Sequence, residues 1–244
     1  MKVYQILLLV LLINVITSIP KNKKMIENLQ KSNKFNSRKK ETFAVMGQLL
    51  LDKGYEPTFV AGILANIYYE GDIGYFESSN YKTYPEKKPK YLRFMDDLYN
   101  YRQKYSGKIV TEVSLNELNK LMEKLHSKGW KEGKFGLGCV QWTGERTRTL
   151  VKLYVEEAKG KDKISLKQAM VAEGRMIFKE LSGEYKRIYN EWKNSCSKKI
   201  ESINAAYQAG SIICRKYEIP ADYNRKGEIR GKMAITIYNI MTGS

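Results

Sequence analysis

Two stretches of this 244-residue chain carry residue types that could do chemistry. The first is TFVAGILANIYYEG, residues 58–71. Phe59, Ile63 and Ile67 recur at i, i+4 and i+8, the spacing of one buried helical stripe. Glu70 stands three residues beyond Ile67 and seven beyond Ile63, so it falls on the same stripe. A carboxylate there is costly unless it is paired or used. Burial and the negative end of a helix dipole both favour its protonated form near neutral pH. That is the form a glycosidase needs to protonate a leaving oxygen. A glutamate at a helix end can equally fray and bridge to a lysine. The neighbours favour the acid: Tyr68 and Tyr69 precede it, and Gly71-Asp72-Ile73-Gly74 opens a loop after it.

The second stretch is KFGLGCVQWTGERTRTL, residues 134–150. Gly136, Gly138 and Gly144 free the backbone to approach something closely. Gln141, Trp142 and Thr143 offer an amide, a large ring and a hydroxyl together. Sugars are gripped by such sets, rings against C–H faces and amides against hydroxyls. Trp142 could as well be a core anchor and the glycines turn residues. With Tyr69 and Tyr75, these three residues form the expected substrate-binding set.

Read in order, AGILANIYYE at 61–70, GLGCVQWTGER at 136–146 and KYEIP at 216–220 resemble the phage tail lysozyme family of the lysozyme-like superfamily. The resemblance spans most of residues 41–241. It implies a peptidoglycan hydrolase acting on the β-1,4 bond between N-acetylmuramic acid and N-acetylglucosamine, with Glu70 as general acid. One departure is that Gly71-Asp72 follows the acid where the family usually has Ser-Gly. Tyr217, Glu218 and Pro220 read as structural. A second carboxylate would serve as base or nucleophile. Glu77, in the non-helical FESSNY stretch, is preferred over Asp72, Asp96 and Asp97. A transglycosylase would need Glu70 alone, because a hydroxyl of the substrate attacks.

Helices must position these groups. Phe43, Met46, Leu49 and Leu50 pattern one helix stopped by Gly54, and the next follows Pro57, suited to a first turn. Ser114 with Glu117, and Ser165 with Gln168, read as capping boxes. Further helical patterns cover 92–105, 146–158, 185–194, 203–217 and 228–241. Residues 75–89 lack helical rhythm and read as a loop or short hairpin. The expected fold is mainly α: a lysozyme-like α+β domain over residues 41–244 with a small irregular or hairpin lobe.

Residues 1–18, MKVYQILLLVLLINVITS, have the charged start, apolar run and small-residue end of a secretory signal peptide. Residues 19–40 are Lys-rich and read as a flexible basic leader. The mature protein is expected to be secreted and monomeric, without stable membrane insertion. With 43 Lys+Arg against 26 Asp+Glu the net charge is +17, which favours polyanions such as bacterial walls. No nucleic-acid-binding motif is present, and nucleic acid is not an expected partner. One His excludes a multi-histidine zinc site, and no cofactor or metal is expected. Export permits disulfides. Of three Cys, Cys196 and Cys214 would sit most of a helix length apart, so Cys139–Cys214 is the expected bridge. Competing readings are a cysteine hydrolase using Cys139 and His126, a non-catalytic cationic wall-binding or membrane-active protein, and a hydrolase of chitin-like polymers.

Overall fold

A computed structural model describes residues 21–78, 95–130, 135–196 and 199–244. The expected signal peptide and most of the non-helical 75–89 stretch lie outside the described residues. The helices are α1 (21–31), α2 (Ser37–Asp52), α3 (Pro57–Glu70), α4 (Met95–Tyr105), α5 (Leu115–Ser127), α6 (Gly144–Ala158), α7 (Leu166–Ser182), α8 (Lys186–Cys196), α9 (Ile203–Ile213) and α10 (Tyr223–Thr242). Among the described residues there is no strand, only isolated antiparallel bridges: Tyr75 with Ile109, Phe76 with Leu137, and Leu137 with Trp142. The mainly α expectation holds, whereas the α+β lobe is not supported. Its described segments make single pairings only.

The chain forms two compact units. One holds the residues up to Ala65 together with Asn190–Ser244; the other is Asn66–Tyr189. In the first, the described part of the expected basic leader takes a different form. Residues 21–31 are helical, with Met25, Ile26 and Leu29 buried. Phe35 packs edge-on against Phe43 at 5.0 Å. Asn28 Nδ2 donates to the Met241 carbonyl at 3.0 Å. The apolar residues look sparse among lysines, but their i, i+1, i+4 spacing makes one narrow stripe, enough to dock a helix. Phe59 and Trp192 meet at 4.8 Å, and Trp192 Nε1 donates to the Ala205 carbonyl at 2.9 Å. α9 runs into a π-helical turn at Cys214–Glu218, with Tyr217 buried, so the pattern over 203–217 is two elements.

In the second unit, α5, α6 and α7 pack by apolar faces. Ser114 accepts from the Glu117 amide, while Ser165 and Gln168 form the full reciprocal capping box. Phe76, Tyr101, Tyr105, Trp130 and Phe135 are fully or almost fully buried in one ring cluster. Beside it, residues 74–77 run between two other segments. Val110 N donates to Gly74 O at 2.7 Å and Phe76 N to Lys108 O at 2.9 Å. On the other edge Gly138 N donates to Tyr75 O at 3.0 Å, and Glu77 N to Gly136 O at 2.9 Å. Here the irregular lobe meets the Gly-rich loop.

None of the three thiols is in a disulfide, so the expected Cys139–Cys214 bridge is not formed. Each is buried, and Cys139 and Cys214 belong to different compact units. The Cys214 thiol points to the Tyr223 carbonyl at 3.9 Å. No described helix is long and apolar enough to cross a membrane.

Candidate active site

Glu70 closes α3. Ile63 and Ile67 on its stripe are 2% and 0% exposed, whereas Glu70, the last residue of the helix, is half-buried. Tyr69 beside it is 45% exposed, its ring edge-on to Tyr68 at 5.0 Å. The chain then turns at Gly71. A Cβ on Gly71 would lie 3.2 Å from Gln141 Nε2, so the end of α3 and the Gly-rich loop meet at this residue. Gln141 holds a left-handed backbone (φ 52°), uncommon outside glycine. Its side chain stays with the loop, Nε2 donating to Gly138 O at 2.8 Å and to Tyr75 O at 3.4 Å. A Cβ on Gly136 would strike the Gln141 side chain, which explains that glycine without a ligand.

The other expected residues divide. Tyr75 is half-buried and lends its carbonyl to the loop. Glu77 is half-buried, and its Oε2 accepts the Gly136 amide at 2.9 Å while its own amide donates to Gly136 O. It staples the 74–77 run to the loop. Thr143 stands half-buried at the N-cap of α6 with no side-chain cap bond. Trp142 departs from the sugar-stacking expectation. Its ring is 0% exposed and Nε1 donates to Glu180 Oε2 at 2.9 Å, so neither face is open to a ligand. Glu180 also receives Arg146 through Nε at 2.7 Å and Nη2 at 2.9 Å. The tryptophan is an anchor.

Among the alternative carboxylates, Asp72 is half-buried in the turn and Asp96 is exposed on the first turn of α4. Asp97 is committed to Lys124 at 2.8 Å and Lys128 at 2.5 Å. Burial works to raise its carboxyl, yet the two lysines hold it below the ordinary range. The Cys139–His126 pairing is not assembled: Cys139 is fully buried, while His126 is exposed and bonded to Glu145 at 2.6 Å. Among the described residues no cluster of three or more His, Cys, Asp or Glu could hold a metal ion.

Two glutamates of α7 escape a reading by residue type alone. Glu180 anchors Trp142 and Arg146. Glu173, 0% exposed, accepts from the Gly74 amide at 2.6 Å, the Cys139 amide at 2.7 Å and the Tyr154 hydroxyl at 2.5 Å. Burial pushes its carboxyl above the ordinary range, and the donors at Tyr154, Cys139 and Gly74 pull the other way. A signal was present. Glu173 follows Ala169 and Met170 at i+4 and i+3 and precedes Met176 and Ile177 at the same spacings, which marks a charge on an apolar stripe.

A model of the phage tail lysozyme family matches residues 41–241. Neither a curated protein nor a solved structure matches the chain.

Proposed function

The chain belongs to the phage tail lysozyme family, and from that premise we propose that it is a secreted muramidase, cleaving the β-1,4 bond between N-acetylmuramic acid and N-acetylglucosamine with Glu70 as general acid. Family membership carries lysozyme-like activity on peptidoglycan; bond, acid and export are the finer reading. One observation carries it: α3 delivers Glu70 half-buried, one residue before Gly71 meets Gln141, beside the exposed ring of Tyr69. A glycosidic acid needs such a seat, partly out of water yet reachable by substrate. Glu70 gives its proton to the bridging oxygen, the C1–O bond breaks, and positive charge grows at C1 and the ring oxygen. Water then bonds to C1 and gives up a proton, to Glu77 or to the Glu70 carboxylate, which completes hydrolysis. Tyr69 supplies a ring face for the sugar, and the high positive charge draws the chain to an anionic wall. Export is proposed from the sequence of residues 1–18.

A second reading has an observation in its favour. Glu77 spends Oε2 on the Gly136 amide, as a loop staple would. A transglycosylase needs no second carboxylate, because a hydroxyl of the N-acetylmuramic acid attacks C1 in place of water. Treatment of a purified bacterial wall suspension decides among the readings. Wild-type protein should clear it and Glu70→Gln should not; equal clearing by both would mean that charge, not chemistry, disperses the wall. Mass spectrometry of the released sugars separates the mechanisms. Reducing ends mark hydrolysis and anhydro ends mark the transglycosylase.

A further inference from the structure

We propose that Glu173 is a positioning residue for this reaction: from α7 it ties the turn that follows Glu70 to the loop that carries Gln141, and so fixes the acid against the groups beside it. Its catalytic consequence rests on the glycosidase reading; the tether itself stands on geometry. Oε1 accepts from Gly74, four residues after Glu70, and Oε2 accepts from Cys139, two residues before Gln141. One carboxylate thereby holds two backbone segments far apart in sequence. Both segments are shaped to reach it. Gly74 and Gly138 have φ of +70° and +83°, conformations that L side chains rarely adopt. A Cβ on Gly138 would lie 3.0 Å from both Cδ and Oε2 of Glu173. The close approach that Gly138 permits is thus to the protein's own Trp142 ring and Glu173 carboxylate.

The residue type points the same way. A buried carboxylate is costly, and an apolar side chain in its place would fill the core without that cost. It would also strand two buried amides. What the carboxylate provides is two acceptor oxygens on one rigid plane. Tyr154 adds a third donor and fixes that plane. Glu173→Gln keeps the shape but turns one oxygen into an NH₂ group, which cannot accept from either amide.

The test compares the wild-type chain, Glu173→Gln and Leu118→Ala. Leu118 is a fully buried residue of α5, whose truncation destabilises without touching the tether. Amide hydrogen exchange is followed at Gly74 and Cys139, and wall lysis is resolved into kcat and KM. In Glu173→Gln, at least one of the two amides should exchange about tenfold faster or more. Its kcat should fall about tenfold with KM within about twofold, the signature of a misplaced acid rather than a lost subsite. Leu118→Ala should keep both amides protected and kcat near wild type at a temperature where it is folded. Unchanged exchange at both amides, or an unchanged kcat, overturns the proposal. If Glu173→Gln does not fold, the wild type alone decides: Gly74 and Cys139 must exchange as slowly as the amides of α7, and faster exchange overturns the tether. Failure of the glycosidase reading shows separately, as a wild type that clears no wall while both amides stay protected; it removes the catalytic role.

Discussion

Along α9 and α10 the chain is held by closeness. A Cβ on Gly210 would lie 2.5 Å from the Arg230 carbonyl oxygen and 2.9 Å from Ala234 Cβ, and one on Gly231 would lie 2.7 Å from the Tyr207 ring. Small residues let the two backbones touch. Around residues 71–77 and 135–143 there is little regular structure to pack. There the backbone hangs from side chains, Glu77 on Gly136 and Glu173 on Gly74 and Cys139, while Glu180 holds the Trp142 indole. The first region is limited by volume and the second by hydrogen-bond inventory. A helix pair satisfies its own amides, whereas an irregular turn leaves amides over, and buried acceptors take them.

That contrast can be broken or sharpened by substitution. The largest effect falls on activity. Glu70→Gln should lower kcat for wall lysis by about 10²–10⁴-fold, about 3–5 kcal/mol in the barrier, with an unchanged circular-dichroism melt. A melt that shifts with it would mean that Glu70 holds structure instead. Next comes volume. Gly210→Ala should destabilise by about 1–3 kcal/mol in urea unfolding, because the new methyl meets backbone, which cannot swing aside. Removing a donor should act on the polar region, with a smaller buried ring as its cost in volume. Trp142→Phe should cost about 1–2 kcal/mol of stability and leave KM for wall fragments unchanged, since the ring is buried and its N–H serves Glu180. A raised KM would restore Trp142 to the substrate. The smallest effect is at the surface: Tyr69→Ala should raise KM by about 3–10-fold without altering unfolding.

The tether also predicts a pH signature. The groups facing the Glu173 carboxyl are the Tyr154 hydroxyl from α6 and the Cys139 thiol and amide from the loop, with the Gly74 amide opposite. Because burial raises its folded value above the unfolded one of 4.5, the folded state binds the proton more tightly. Stability from this group is fully present below that unfolded value and is lost as pH rises through the folded one. Urea titrations of wild type and Glu173→Gln between pH 4 and 8 should differ by that falling slope.

The same contrast explains what could be read from the residues. Periodicity and caps located α3, the Ser114 start and the Ser165–Gln168 box, because each signal lies within four residues of its effect. Glu70 was legible for the same reason, as a carboxylate at the end of an apolar stripe. Its half-exposure was not, since that depends on where the helix stops. Trp142 could be read either way until its N–H found Glu180, 38 residues on. The Lys-rich 21–40 stretch hid a narrow apolar stripe beneath its charge. Cys139 looked available for a bridge because nothing local shows that its surroundings are a buried glutamate.

Glu173 and Glu180 stand seven residues apart on α7, two turns and about 10 Å along its axis. The loop from Gly138 to Thr143, with the first turn of α6, is therefore pinned near both ends to one stiff rod. Neither pin can be lifted by sliding the rod without pulling the other, so breathing of this loop is cooperative. It opens as a unit or stays shut, and its exchange-competent state should be one event rather than two.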